Sequence, residues 1–227
     1  RLRFFLRRAR RFSPMAWGPV SANTLYYNRH LVGMYDYNTQ QANALLSSIG
    51  YEDADNNGYL DSGDGDLEVK ILYAPWGLNP QVAQLIQDQW REIGVKAELK
   101  PVPGFTALMG EVAEGEYNLI AFSTFGHDPA FLNQYFLSNG VNNFTNYENA
   151  ELDDALLQAV RELDPNTRYG LYLQIQQFIM DQALILPIRD YVNLNATEAT
   201  IDGLMFDPYG WFPLMNNVTL GDGEGGN

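Results

Sequence analysis

Residues 117–129 read Tyr-Asn-Leu-Ile-Ala-Phe-Ser-Thr-Phe-Gly-His-Asp-Pro, an apolar run that stops abruptly in a polar segment. The apolar part, 119–122, shows no polar alternation, which is typical of a strand buried on both faces in a sheet covered by helices. The polar part follows directly, at the edge where open α/β sheets usually meet their ligands. This stretch predicts an α/β domain with a ligand loop that contains Thr124, Phe125, His127 and Asp128.

The segments before this strand alternate between strand and helix. A strand at 67–73 precedes a loop with Trp76, and a helix follows with Asn79 as its cap and Pro80 in its first position. A strand at 95–102 and a helix at 105–113 then lead to the strand at 119–122. This alternation is typical of a parallel sheet flanked by helices.

Other helices are predicted where a capping residue precedes apolar residues at helical spacing. The candidate caps are Asn38 or Thr39, Asp128, Asn149 and Asp164. The first would open an amphipathic helix at 38–49, and the third a helix with inward side chains as far as Leu163. A second apolar strand is predicted at 183–188, running on through Asp190 to Leu194.

The composition indicates a globular protein and excludes some kinds of site and partner. The 227 residues are 46% hydrophobic, enough for a sizeable core, and the absence of cysteine excludes disulfides and thiolate-ligated metals. Six of the 14 basic residues lie in the first eleven positions, so the rest of the chain carries eight basic against 28 acidic side chains. Such a body repels nucleic acid, and we expect no nucleic-acid partner.

The basic arm has two interpretations. It could contact nucleic acid or lipid, or it could continue a helix whose contacts lie in a part of the protein not present here. Its basic residues are Arg1, Arg3, Arg7, Arg8, Arg10 and Arg11. No apolar run is long enough to cross a bilayer, no signal peptide is recognisable, and the chain does not start with methionine. We interpret the chain as a fragment of something longer.

An aspartate-rich segment at 53–64 reproduces most of an EF-hand calcium loop. The candidate ligands are Asp53, Asp55, Asn57, Tyr59, Asp61 and Asp64. The last position holds Asp where a bidentate Glu is usual, and a strand follows instead of a helix, so the affinity for calcium would be weak. A polar Asn-Gly hairpin turn is the alternative. We expect no cofactor to be required, with calcium as a possible one.

Catalysis has little support in the sequence. The two histidines, His30 and His127, lie in different loop regions, and no nucleophile elbow, phosphate loop or His-Glu-x-x-His pair is present. We expect no enzymatic activity, with a hydrolase as a less favoured alternative. Asp128 also fits a simple helix cap and Trp76 fits core packing, whereas Phe125 and His127 fit contacts to a ligand.

Several motifs in order along the chain resemble those of a known family. They are 37–46 (YNTQQANALL), Gly50-Tyr51, 90–95 (WREIGV), 115–118 (GEYN), Asp128-Pro129, 147–149 (YEN) before Leu152-Asp153, and Asp164-x-x-x-Arg168-x-x-Leu171-Tyr172. Together they are similar to the carboxyl-terminal half of the family 5 extracellular solute-binding proteins, the peptide, dipeptide and nickel receptors of ABC importers.

The resemblance implies a type II periplasmic-binding-protein fold, in which two lobes close on a ligand and this chain forms mainly the second lobe. In peptide-binding relatives the strand ends in Trp, and an Asp three residues later pairs with the amino group of the peptide. Those positions are Phe122 and Phe125 here, which adds Phe122 to the candidate ligand contacts. The missing acid favours a neutral or aromatic-stacking solute, such as an oligosaccharide or a hydrophobic peptide, while His127 could suit a metal chelate.

The expected function is that of a substrate-binding component of an ABC importer, which captures a peptide or oligosaccharide between two lobes and delivers it to a membrane permease. The expected partners are the solute, the permease subunits and a missing amino-terminal lobe, in an extracytoplasmic location with a tether through the absent amino terminus. We divide the chain into a basic arm and extended segment (1–20), a solute-binding lobe (21–202), and a return segment with a flexible tail (203–227). A calcium-stabilised extracellular interaction module is the alternative.

Overall fold

The computed structural model describes residues 13–61, 63, 65–192, 195–207 and 210–221. The basic arm, Asp64 and Leu194 lie outside these residues. The chain divides into two compact units. One is Tyr35–Thr124, and the other combines the chain up to Met34 with the chain from Phe125 onward. None of the described helices is both long and apolar enough to cross a bilayer.

The unit Tyr35–Thr124 is an α/β layer. Its elements are helix α1 (Thr39–Ser48), strand β1 (Glu68–Tyr73), helix α2 (Asn79–Arg91), strand β2 (Lys96–Pro101), helix α3 (Phe105–Glu114) and strand β3 (Leu119–Ala121). The three strands form a parallel sheet in the order β2-β1-β3, with Ile71 opposite both Leu99 and Leu119. The predicted parallel sheet flanked by helices is confirmed.

The apolar strand at 119–122 does not have the predicted position in this sheet. We expected it to be buried on both faces, but among the described strands β3 pairs only with β1, and its three residues are half-buried. The central strand is β1, where Ile71 and Leu72 are buried. An apolar run indicates that a strand is shielded from water, but it does not indicate which neighbouring elements shield it. A strand at the edge of a sheet and one at its centre can therefore have similar sequences.

Two predictions about helices in this unit are also wrong in part. Asn79 does not cap α2, because the cap position is Leu78, and the Asn79 side-chain amide instead lies 3.5 Å from the carbonyl oxygen of Ala121. Helix α1 forms with Asn38 as its cap, accepting from the amide of Gln41 at 3.0 Å, yet none of its residues is buried. Leu45, an apolar residue of this predicted amphipathic helix, is 61% exposed.

The second unit is built around two packed helices. After a 3-10 turn (Pro129–Leu132) come helices α4 (Asn133–Phe136), α5 (Ala150–Arg161) and α6 (Pro165–Asp181). Buried side chains between these helices and the segment near Val20 form the core: Val20, Leu132, Phe136, Leu152, Leu156, Ala159, Tyr172, Ile175 and Ile179. Four short strands follow as two antiparallel pairs: β4 (Ile201–Asp202) with β7 (Thr219–Leu220), and β5 (Met205–Phe206) with β6 (Pro213–Leu214).

The predicted helix caps of this unit are confirmed. Asp128 accepts from the amide of Ala130 at 2.9 Å, Asn149 from Leu152 at 2.9 Å, and Asp164 from Thr167 at 2.7 Å. Each bond satisfies a backbone donor that the first turn leaves without a helical partner.

Two apolar segments of this unit were predicted wrongly. Leu163 is 93% exposed, because α5 ends at Arg161 and Leu163 lies in the short connection to α6. The segment 183–192 forms no strand, and its described backbone makes scattered bonds, such as Asp190 N to Pro14 O at 2.9 Å. An apolar run becomes a strand only where a second backbone is available to pair with it, which its own sequence does not reveal.

Candidate functional site

The candidate ligand residues divide between the two units. Trp76, Phe122 and Thr124 belong to Tyr35–Thr124, whereas Phe125, His127 and Asp128 belong to the unit built around α5 and α6. The prediction that all six serve one ligand stays a prediction.

Trp76 lies in an aromatic cluster within its own unit. Its ring centroid is 6.3 Å from that of Phe122, edge to face, and 6.4 Å from that of Phe105, nearly parallel. Trp76 and Phe122 are half-buried and pack against the core residues Leu72 and Leu108. This packing agrees with the core interpretation of Trp76, while the remaining exposure leaves part of the cluster available for contact. Thr124 is exposed at the end of the segment.

Phe125 forms an exposed aromatic pair with Trp211 in the second unit. Their ring centroids are 4.5 Å apart at 64°, and Phe125 is 62% and Trp211 49% exposed. A turn holds Trp211 in place, because its amide and that of Phe212 donate to the carboxylate of Asp207 at 2.7 and 2.9 Å. Sequence reasoning missed Trp211, since 86 positions separate it from Phe125 and no local pattern joins them.

The short segment between Phe125 and Asp128 has little conformational freedom. A Cβ atom at Gly126 would collide with the ring of Phe131, so the backbone passes directly over that ring. Asp128 fixes the other end as the cap of the 3-10 turn. His127 lies between these two points and is exposed.

Asp128 also forms an ion pair with Arg168 of α6. The Arg168 Nη2 donates to Asp128 Oδ1 at 2.8 Å, and the arginine side chain is only 19% exposed. The guanidinium stacks over the rings of Tyr26 and Tyr172, each 5.4 Å away. Burial raises the pKa of Tyr172, so this phenol stays neutral beside the arginine. Of the candidate ligand residues, Asp128 therefore has the clearest structural role.

The aspartate-rich segment brings three of its predicted metal ligands together. Carboxylate oxygens of Asp53, Asp55 and Asp61 lie within 4.8 Å of one another. Asp53 accepts from the amides of Asn57 and Gly58, at 3.0 and 3.1 Å, and Asp61 accepts from Ala54 at 2.8 Å. This geometry agrees with the turn interpretation, because carboxylates of the segment accept hydrogen bonds from its backbone amides. Calcium binding stays a prediction, and Asp64 lies outside the described residues.

Comparison with known proteins identifies the family. The model for "Bacterial extracellular solute-binding proteins, family 5 Middle" matches residues 10–144. The chain belongs to this family. The family predicted from the motifs is thereby confirmed.

Two curated relatives of this family 5 chain are described as peptide-binding. The oligopeptide-binding protein OppA of Mycobacterium tuberculosis is 28% identical over 174 residues, covering 74% of this chain and 29% of the relative. The probable di/tripeptide-binding protein 5 of Pseudomonas aeruginosa is 29% identical over 206 residues, covering 86% of this chain and 36% of the relative. The chain thus spans about a third of the length of these relatives.

A solved structure confirms the fold class. HbpA2 from Haemophilus parasuis superimposes with a TM-score of 0.78 at 25% identity, over 96% of this chain and 42% of that one. The family 5 chain has the predicted type II periplasmic-binding-protein fold.

Proposed function

We propose that this chain is part of the substrate-binding component of an ABC importer and that its solute is a peptide. The observation that carries the proposal is family membership together with two relatives described as peptide-binding. The component would act outside the cytoplasm, hand its peptide to membrane permease subunits, and perform no chemistry on it.

The exposed aromatic pair supports a peptide with apolar side chains. Phe125 and Trp211 together present apolar ring surface beside the backbone of the Phe125–Asp128 segment. Aromatic rings bind apolar and aromatic side chains by area burial and by offset or edge-on stacking. Aromatic rings also stack on sugars, but the relatives described above favour a peptide over an oligosaccharide. His127 and Asp128 would add polar contacts.

We further propose that the peptide is held between this chain and another lobe of the same protein. The relatives are about three times as long as the matched region, which leaves room for such a lobe. Closure of two lobes on a peptide would be favoured by contacts that only the closed form makes, and the closed form would be the one that the permease recognises.

A thermal-shift screen of the full-length protein tests the proposal. The solutes are dipeptides to pentapeptides with apolar or charged side chains, oligosaccharides, nickel chelates and calcium. A solute at about 100 times its dissociation constant should stabilise the folded protein by roughly 2.7 kcal/mol, a shift of a few degrees. We expect the largest shift with apolar peptides.

Two variants locate the site. Phe125→Ala should reduce the peptide-induced shift to about half or less, whereas Tyr37→Ala, which removes another exposed aromatic outside the candidate site, should leave it unchanged. A shift with oligosaccharide or nickel chelate and none with any peptide would overturn the proposed solute class.

A further inference from the structure

Arg168 connects four separate parts of its unit. Its Nε donates to the carbonyl oxygen of Ala159 at 2.9 Å, and its Nη2 donates to Asp128 at 2.8 Å. Its guanidinium lies over Tyr26 from the amino-terminal segment and over Tyr172 from α6 itself. The residue therefore joins the amino-terminal segment, the Phe125–Asp128 segment, α5 and α6.

These contacts fix the orientation of the Arg168 guanidinium group. The guanidinium is planar, and its Nε bond to Ala159 sets the rotation of that plane. The rings of Tyr26 and Tyr172, stacked with centroids 5.5 Å apart, restrict it further. The Nη2 donor thus points at Asp128.

Asp128 links Arg168 to the neighbouring residues of the Phe125–Asp128 segment. Its Oδ1 accepts both from Arg168 and from the amide of Ala130, so the carboxylate has a defined orientation. His127 lies between this carboxylate and Gly126, which is packed against Phe131, and the exposed Phe125 directly precedes Gly126. Loss of the arginine would remove one of the two hydrogen bonds that orient the Asp128 carboxylate and leave the packing at Gly126 in place.

We infer that Arg168 is a positioning residue for ligand binding: through Asp128 it holds Phe125 and His127 in the conformation that binds the solute, without touching the solute itself. The inference rests on the proposed function. Holding a binding segment in its bound conformation lowers the entropy lost on association, which increases affinity without adding a contact.

Hydrogen–deuterium exchange tests the inference without any ligand. In the full-length protein, Arg168→Met should speed the exchange of backbone amides at 125–130. The matched control is Ile179→Ala, which removes a buried side chain about three turns further along the same helix. Ile179→Ala should lower the melting temperature but leave exchange at 125–130 unchanged. Equal exchange of this segment in wild type and Arg168→Met would overturn the inference.

Binding of the peptide that gives the largest thermal shift provides the second measurement. Arg168→Met should weaken binding roughly tenfold at a temperature where every variant is folded. Arg168→Lys should weaken it less, because lysine keeps the positive charge, although it cannot make both of the hydrogen bonds that the arginine makes. Asp128→Asn keeps a capping oxygen and loses the ion pair. The double variant should bind within about twofold of the weaker single variant, since both changes remove the same interaction.

The possible outcomes separate the two proposals. Suppose that the wild type binds a peptide and that both Arg168→Met and Arg168→Lys bind it as tightly as the wild type. The positioning role is then wrong while the proposed function stands. Additive losses in the double variant would also overturn the positioning role. If the wild type binds no peptide, the proposed function fails and the binding role of Arg168 fails with it. If Arg168→Met does not fold, Arg168→Lys and Asp128→Asn carry the same comparison.

Discussion

Among single residues, Asp190 has an environment that makes stability depend on pH. It is partly buried, and its carboxylate accepts one long hydrogen bond, 3.4 Å from the amide of Ala22. Burial raises the pKa of Asp190 above its ordinary value of 3.8, and the Ala22 bond offsets only part of that effect. The pKa of the nearby Tyr27 is also raised, first by burial and then by the charge of Asp190.

Because the pKa of Asp190 is raised in the folded protein, the effect of pH on folding stability has a definite sign. A carboxyl with a higher pKa in the folded protein than in the unfolded chain stabilises the fold when it is protonated. That contribution is fully present below the unfolded pKa and is lost as the pH rises through the folded pKa. At neutral pH the ionised Asp190 therefore carries a desolvation cost.

We predict that Asp190→Asn raises the melting temperature at neutral pH, because the amide avoids the cost of burying a charge. The difference from wild type should shrink as the pH falls through the raised pKa of Asp190, where its carboxyl becomes neutral. Melting curves of both proteins across this range measure the difference. Asp36→Asn, at an exposed carboxylate, is the control and should leave the melting temperature at neutral pH unchanged. A difference of the opposite sign at neutral pH would contradict this assignment.

At the scale of elements, packing between α5 and α6 supplies much of the core of the second unit. Leu156 of α5 is fully buried and belongs to the same cluster as Tyr172, Ile175 and Ile179 of α6. Leu163, two residues beyond the end of α5, is almost fully exposed. Two leucines seven positions apart on the chain therefore have very different environments.

We predict that Leu156→Ala destabilises the protein by about 2–5 kcal/mol, because it removes transfer free energy and leaves a cavity. The matched change Leu163→Ala should cost no more than about 0.5 kcal/mol, as is usual for exposed positions. Urea unfolding at equilibrium measures both. Similar losses in the two variants would show that the connection at 162–164 is packed, contrary to the structure.

The aspartate-rich turn gives a second prediction at this scale. Three carboxylates within 4.8 Å repel one another, and a bound cation would relieve that repulsion. We predict that calcium raises the melting temperature and that a chelator reverses the rise. Asp55→Asn should reduce the effect, while Asp88→Asn, at an exposed carboxylate on α2, should not. An unchanged melting temperature at about 10 mM calcium, above the range of weak extracellular sites, would leave the turn as a hairpin stabilised by its backbone bonds.

At the scale of the whole molecule, local signals were readable from sequence and long-range ones were not. Asn38, Asn149 and Asp164 each bond a backbone amide three positions away, so short motifs predicted them correctly. The burial of β3 and the pairing of the 183–192 segment depend on distant neighbours, and both predictions were wrong. The parallel sheet was predicted because alternation itself fixes the topology.

The candidate site shows the same division. Phe125, His127 and Asp128 were predicted as ligand contacts because they follow an apolar strand, and the cap at Asp128 was predicted from the proline after it. The partners that order this segment, Arg168 and Trp211, lie 40 and 86 positions from Asp128 and Phe125 respectively. Side chains so far apart meet only through the packing of α6 and the carboxyl-terminal hairpins, which a single sequence does not specify.

The central claim is that the protein carrying this chain binds a peptide through the Phe125 region. Isothermal titration of the full-length protein with the most stabilising apolar peptide, compared with Phe125→Ala, tests it most directly. We expect one binding site in the wild type and an affinity at least about tenfold lower in Phe125→Ala, since truncating a central aromatic contact commonly costs 2 kcal/mol or more, about thirtyfold. Saturable binding of equal affinity in both proteins would contradict the site, and no binding of any peptide would contradict the function.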